Sequence, residues 1–98
     1  MVYYVAHKYG GDPENLQKAR EKTRALQLAD LDNCYVCPLL TFADLDYAEI
    51  GYNEAMELCI DLLSVCDALV VASEISEGVR REIEFAELVG MEVVFVDF

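Results

Sequence analysis

The five residues Ala68-Leu69-Val70-Val71-Ala72 are all aliphatic. A strand that is apolar on both of its alternating sides is typical of the middle of a parallel sheet, where helices cover both faces. We therefore expect this segment to be a central parallel strand and interpret the rest of the chain around it.

Strand and helix patterns alternate on both sides of this run. Strand patterns cover residues 2–6, 34–38 and 92–97, each a short apolar run bounded by turn residues. Helical spacing covers residues 13–30, 47–65 and 79–90, and Asp12-Pro13 supplies an N-cap and a first-turn proline. In the first of these segments the apolar stripe includes Ala19 and Thr23, and Lys22 falls on another face. Residues 39–46 are interpreted as an apolar loop. The order β-α-β-α-β-α-β predicts an α/β fold with an open parallel sheet and helices on both faces.

Composition limits the size and the partners of the protein. The 98 residues, of which 55% are hydrophobic, suit a single domain over residues 1–98. Acidic residues outnumber basic ones 19 to 7, for a net charge of −12. This balance argues against nucleic-acid backbones and anionic membranes as partners, because both are bound through Lys and Arg. The acidity otherwise indicates a solubilising surface.

The cysteines and the missing targeting patterns point to the cytoplasm. No apolar run is long enough to span a bilayer, and the N-terminus lacks a signal-peptide pattern. The four cysteines are then expected to be reduced thiols. Cys34-x-x-Cys37 resembles half a zinc site, but there is no second pair, and His7 is the only histidine. Buried thiols are therefore favoured, and we expect no metal.

Ligands of open parallel sheets bind beyond the carboxyl ends of the strands. Two predicted loops at that edge carry candidate binding residues, namely His7, Lys8 and Gly10 in the first and Ser73, Ser76 and Gly78 in the second. His7 and Lys8 could contact an anionic group, and the small residues suit a sugar or a phosphate. Ordinary roles stay open for all of them: a satisfied core histidine, an N-cap or a turn.

The helix after the central strand contains one acid that points inward. At about 100° per residue, Glu82 falls between Ala86 and Val89 on the apolar face, whereas Glu84 and Glu87 fall outside it. A carboxylate on an apolar face is costly unless it is paired, and proteins often retain one at a functional site.

Two interpretations of Glu82 stay open. An ionised, poorly hydrated glutamate can act as a nucleophile toward an anomeric carbon. Alternatively, Glu82 lies at a rim and pairs with Arg81, Lys8 or a backbone amide.

Four segments occur in an order that is similar to one known family. They are Tyr4-Val5-Ala6, Gly11-Asp12-Pro13-Glu14-Asn15, Cys66-Asp67-Ala68-Leu69-Val70-Val71 and Ser76-Glu77-Gly78-Val79-x-x-Glu82-Ile83-x-x-Ala86. Over nearly the whole chain they resemble the nucleoside 2-deoxyribosyltransferase superfamily, above all its short, mostly uncharacterised bacterial and phage members. The last segment, S-x-G-x-x-x-E-x-x-x-A, is the most specific of the four.

The resemblance implies a flavodoxin-like fold that breaks or exchanges the N-glycosidic bond of deoxynucleosides or deoxynucleotides. It implies that Glu82 is the nucleophile and that Tyr4 orients it. Gly78, Ser76 and Ser73 would then line the sugar or phosphate pocket. It also implies a homo-oligomer, because neighbouring subunits commonly complete such sites. We expect a small nucleoside or nucleotide as partner and no cofactor.

The sequence departs from the family pattern at two places. His7-Lys8 stands where the family usually has Gly-Pro, and Cys59 stands where the characterised enzymes have an acid-base Asp. Without that Asp the leaving base loses its proton donor, at a cost of about 10²–10⁴ in rate. Glu74 and Asp97 are the candidate substitutes.

Three functional hypotheses follow from these observations. The first is an N-glycosidic enzyme that works through a covalent glycosyl-Glu82 intermediate. The second is a nucleotide-binding module that has the pocket without the chemistry. The third is an acidic interaction protein that imitates the charge of a nucleic acid.

Overall fold

Four parallel strands form one sheet in the computed structural model, which describes residues 1–45 and 47–96, with the backbone alone for residue 47. The strands are β1 (Val2–Ala6), β2 (Cys34–Val36), β3 (Ala68–Val71) and β4 (Glu92–Phe95), in the order β2-β1-β3-β4. All of β3 is buried, and it pairs with β1 on one side and β4 on the other. The predicted central parallel strand is confirmed.

Helices cover both faces of the sheet. Successive residues of β1 point to opposite faces, and they pack into two different clusters. On one face, Tyr4 and Ala6 pack with Leu63 and Val79. These two residues come from the helices that precede and follow β3 in the chain. Val5 packs on the opposite face with Ala19, which lies in the first helix. The predicted α/β fold, an open parallel sheet of the flavodoxin-like kind, is confirmed.

The structure has five helices among the described residues, where the sequence predicted three. They are α1 (Pro13–Ala29), α2 (Pro38–Thr41), α3 (Tyr47–Ile50), α4 (Tyr52–Ser64) and α5 (Glu77–Leu88). The prediction of a loop over residues 39–46 is thus wrong in its first part, because residues 39–41 belong to α2. Pro38 favours a helical first turn. Within the described residues, no helix is both long and apolar enough to cross a bilayer.

The prediction of one helix over residues 47–65 is also wrong. Gly51 separates α3 from α4 with a φ of 82°, a left-handed conformation that glycine adopts without steric cost. After this bend, α4 packs on β1 and β3 through Leu63.

The limits of α5 differ from the predicted 79–90. The Ser76 hydroxyl caps the helix, so that it begins at Glu77, and it ends at Leu88. Val89, expected on the buried face, is 55% exposed because the helical periodicity has ended before it. Gly90 turns the chain into β4 with a φ of 73°. The predicted end of the last strand at Asp97 lies outside the described residues.

The buried face of α1 is as predicted, whereas one of its lysines is not. Ala19 and Thr23 are buried, and Asp12 caps the helix through the Glu14 amide. Lys22, which the pattern places on an outer face, instead extends over the sheet edge, and its Nζ donates to the Ala72 carbonyl at 2.7 Å. A long side chain can cover apolar surface while its amine finds a partner elsewhere.

Candidate active site

A cavity of about 320 Å³ opens at the carboxyl ends of β1, β2 and β3, where open parallel sheets bind ligands. We call it the strand-end cavity. The described residues that line it are His7, Tyr9, Gly10, Pro38, Leu39, Tyr52, Met56, Cys59, Ser76, Glu77, Gly78, Val79 and Glu82. Its volume lies within the range of small-molecule sites, about 300–1,000 Å³.

Glu82 lies at the wall of this cavity and contacts Tyr4. Glu82 is 5% exposed and Tyr4 is fully buried, and the Tyr4 hydroxyl donates to Oε2 of Glu82. Tyr4 reaches it because this β1 residue faces the α4 and α5 side of the sheet. The inward direction predicted for Glu82 is confirmed, and 78 residues of sequence separate the two partners.

Burial sets the charge of this pair. It raises the pKa of Glu82 to about 7, against the opposing effect of the Tyr4 hydrogen bond. Burial and the nearby Glu82 charge raise the pKa of Tyr4 above its ordinary value, so the phenol stays protonated and donates. Near neutral pH, Glu82 is therefore present in both its ionised and its neutral form.

Cys59 completes the group around the Tyr4 hydroxyl. It lies on α4, lines the strand-end cavity, and interacts with Tyr4 by a side-chain hydrogen bond. Burial, together with the charge of Glu82, raises the pKa of the Cys59 thiol to about 12. The residue at the position of the resembled family's acid-base Asp is thus a neutral thiol near pH 7.

The start of α5 forms one side of the cavity. The Val79 amide donates to the Ser76 hydroxyl at 3.3 Å, so Ser76 has a capping role as well as a place in the wall. A Cβ on Gly78 would lie 3.3 Å from the Sδ of Met56 and 3.6 Å from the hydroxyl of Tyr52. Gly78 therefore permits a close approach of α5 to α4 beside the cavity.

Glu77 is a wall residue that the sequence reasoning missed. Its Oε1 lies 2.8 Å from a guanidinium nitrogen of Arg80, which also pairs with Glu84. Both acids are exposed, but only Glu77 is among the residues that line the cavity. The sequence did contain a signal for Glu77. This residue lies between the cap Ser76 and the first-turn Gly78, so it must lie at the same helix end as these two predicted binding residues.

His7 is buried, and both of its ring nitrogens are used within the protein. Lys22 donates from Nζ to Nε2 of His7 at 3.0 Å, which makes Nδ1 the protonated nitrogen that donates to the Lys8 carbonyl at 2.7 Å. Burial lowers the pKa of His7 and the charges of Lys22 and Lys8 lower it further. His7 thus touches the cavity as a neutral ring.

Lys8 and Ser73, two other predicted binding residues, lie outside the described lining of the cavity. The Ser73 hydroxyl accepts from the Lys8 amide at 2.8 Å and donates to the Glu74 carbonyl at 2.9 Å. The Lys8 Nζ lies 2.9 Å from Oε2 of Glu74. We call His7, Lys8, Lys22, Ser73 and Glu74 the His7 cluster.

The candidate substitutes for the missing Asp have different positions. Glu74 belongs to the His7 cluster, and Lys8 lowers its pKa by a hydrogen bond. Asp97 lies outside the described residues. Gly10, predicted to approach a ligand, does line the cavity, with a φ of 61°.

The apolar part of the wall was not predicted from sequence. Tyr9, Leu39, Tyr52 and Met56 line the strand-end cavity, and Arg81 lies 5.7 Å from the centre of the Tyr52 ring. A smaller apolar cavity of about 30 Å³ adjoins it. The only available signal was the strongly apolar composition of residues 39–45.

Cys34 is exposed whereas Cys37 is buried. In the part of the chain that the structure describes, no group of three or more His, Cys, Asp and Glu side chains is placed to hold a metal ion.

The fold and the cavity define an α/β protein with a buried carboxylate at the strand-end edge of a parallel sheet. The chain belongs to the family described as a domain of unknown function, DUF7768, whose model matches residues 1–96. No curated protein matches the chain.

Proposed function

We propose that the protein cleaves the N-glycosidic bond of a nucleoside or nucleotide, or transfers its deoxyribosyl group, through a covalent glycosyl-Glu82 intermediate. The observation that carries the proposal is the hydrogen bond from Tyr4 to a buried Glu82 at the wall of the strand-end cavity. The resemblance of the sequence to nucleoside 2-deoxyribosyltransferases supports the same assignment.

In the first step the ionised carboxylate of Glu82 attacks the anomeric carbon of the sugar. The bond from that carbon to the base breaks, its electron pair stays on the base nitrogen, and the base takes up a proton. In the second step water or another base attacks the same carbon and releases the carboxylate. Tyr4 holds Glu82 in position and favours its ionised form.

The rest of the wall suits the two parts of a nucleoside. Tyr9, Tyr52 and Met56 offer apolar and aromatic surface for the base. Ser76, Gly78 and Gly10 offer small residues and a hydroxyl for the sugar. Four free cysteines suit a cytoplasmic setting, where nucleosides are available, and the resemblance implies a homo-oligomer.

Cys59 favours a second candidate function, a nucleotide-binding module without catalysis. The thiol stands where an acid-base carboxylate is expected, and its raised pKa keeps it protonated. A leaving base would then depend on solvent or on its own basicity for the proton.

An assay of base release distinguishes the two functions. The purified protein is incubated with deoxynucleosides and their 5′-monophosphates, and free base is quantified by chromatography. We expect release by the wild type and a loss of about 10³-fold or more in Glu82→Gln, which removes the nucleophile. Glu84→Gln, on the exposed face of the same helix, is the matched control and should keep the activity.

No release from any substrate would overturn the enzymatic assignment. The binding module would then be retained if nucleosides or nucleotides raise the Tm, and rejected if none of them does.

A further inference from the structure

We propose that Glu77 makes the strand-end cavity selective for uncharged nucleosides over their 5′-phosphates. This inference rests on the proposed function and names the substrate class within it. Glu77 is then a specificity-determining residue, separate from the Glu82 nucleophile.

The first argument is the charge of the wall. The described residues that line the cavity include two carboxylates, Glu77 and Glu82, and no lysine or arginine. Four basic groups are described near the wall, and each has other contacts. Arg80 contacts Glu77 and Glu84, and Lys8 pairs with Glu74. Lys22 contacts His7 and the Ala72 carbonyl, and Arg81 lies over the Tyr52 ring. A phosphate in this cavity would meet negative charge without a wall cation to offset it.

The second argument is the position of Glu77 at the start of α5. The first amides of a helix attract anions, and a phosphate commonly binds there. In this protein, the Ser76 hydroxyl already accepts the hydrogen bond of the Val79 amide. The Glu77 carboxylate occupies the first turn and lies where a phosphate would otherwise be attracted.

The two glutamates that contact Arg80 provide a matched pair of variants. Glu77→Gln and Glu84→Gln each remove one charge from an exposed partner of Arg80, but only Glu77 lines the cavity. Both side chains are exposed, so both variants should fold, which a Tm measurement checks.

The measured quantity is kcat/KM for a deoxynucleoside divided by kcat/KM for its 5′-monophosphate. We expect the wild type to favour the nucleoside by about 100-fold and Glu77→Gln to lower the ratio about tenfold, the size of one nearby like charge. Glu84→Gln should leave the ratio unchanged. A wild type that prefers the monophosphate, or a ratio that Glu77→Gln does not move, overturns the inference.

A binding measurement separates this inference from the proposed function. Calorimetric Kd values for the same two ligands are obtained with Glu82→Gln and with the Glu77→Gln, Glu82→Gln double variant. If the Kd ratio shifts with Glu77 while the wild type releases no base, the charge selectivity stands and the catalytic proposal fails. If Glu82 governs base release but neither ratio depends on Glu77, the catalytic proposal stands and this inference fails. If neither ligand binds, this inference fails.

Discussion

Two buried polar groups lie at the same edge of the sheet, on opposite sides of β1. On the α5 side, Tyr4 contacts Glu82 at the wall of an open cavity. On the α1 side, His7 and Lys22 hydrogen-bond to each other and to backbone carbonyls of the protein. Glu82 and His7 both line the strand-end cavity, but both ring nitrogens of His7 are used within the protein.

The difference shows how a buried polar residue can be assigned. A polar group whose partners all lie within the protein stabilises the fold, and most buried polar groups are of this kind. A buried carboxylate that lines a cavity keeps a raised pKa with no compensating cation, which is costly for folding and useful for chemistry. We therefore propose a catalytic role for the Tyr4–Glu82 pair and a structural role for the His7 cluster.

The largest effect in this comparison is expected for Tyr4→Phe. Loss of the hydroxyl frees Glu82 to move and removes the hydrogen bond that favours its ionised form, so kcat should fall about 100-fold. The activity profile should also shift to higher pH, because the pKa of Glu82 then rises further.

The control for this prediction is Tyr3→Phe, on the same strand. Tyr3 points to the other face of β1 and stacks on Tyr35, so its variant should keep the activity. Equal kcat values for Tyr4→Phe and the wild type would contradict a role of Tyr4 in orienting Glu82.

The pH dependence of stability gives the next effect. The pKa of Glu82 is raised by burial from 4.5 to about 7, so the folded state binds more protons than the unfolded state between these values. Its contribution to stability is full below about pH 4.5 and is lost as the pH rises through 7. The free energy of unfolding should fall by about 2–3 kcal/mol over this window, relative to Glu82→Gln. The unfolding free energies of the two proteins are measured by urea denaturation at each pH. A difference between them that stays constant from pH 4.5 to 7 would contradict the raised pKa.

The Lys22→Met variant should lose stability and keep its activity. The variant leaves the Ala72 carbonyl and Nε2 of His7 without this donor, which should cost about 1–3 kcal/mol of unfolding free energy. Activity per folded molecule should stay within twofold of the wild type, an order-of-magnitude expectation for a residue outside the cavity. Lys18→Met, four residues earlier on the exposed face of α1, is the control and should change little. A large loss of kcat in Lys22→Met would place the His7 cluster in the active site.

The smallest effect is expected for Glu74→Gln. The exposed ion pair of Glu74 with Lys8 contributes little to stability because water and salt screen it, and Glu74 lies outside the described lining of the cavity. Both unfolding free energy and base release should therefore stay close to wild type. A loss of base release of about 10²-fold, with its pH profile altered, would make Glu74 the acid that replaces the missing Asp.

The sequence predicted the sheet, the inward direction of Glu82 and, through the family resemblance, its partner Tyr4. The sheet and the direction of Glu82 depend on local periodicity and on strand alternation, which a sequence carries directly. Lys22 was misplaced because a helical wheel positions a Cα and not the end of a long side chain. The apolar wall was missed because its residues become neighbours only when α2, α4 and α5 meet at the strand ends. Glu77 was missed although it lies between the predicted binding residues Ser76 and Gly78.

Intact-protein mass spectrometry of an acid-quenched reaction with a deoxynucleoside tests the catalytic assignment most directly. The account predicts a mass increase of one deoxyribosyl group in the wild type, located by peptide mapping on Glu82 and absent from Glu82→Gln. Free base formed at the same rate by Glu82→Gln, or an adduct that persists in that variant, would contradict it.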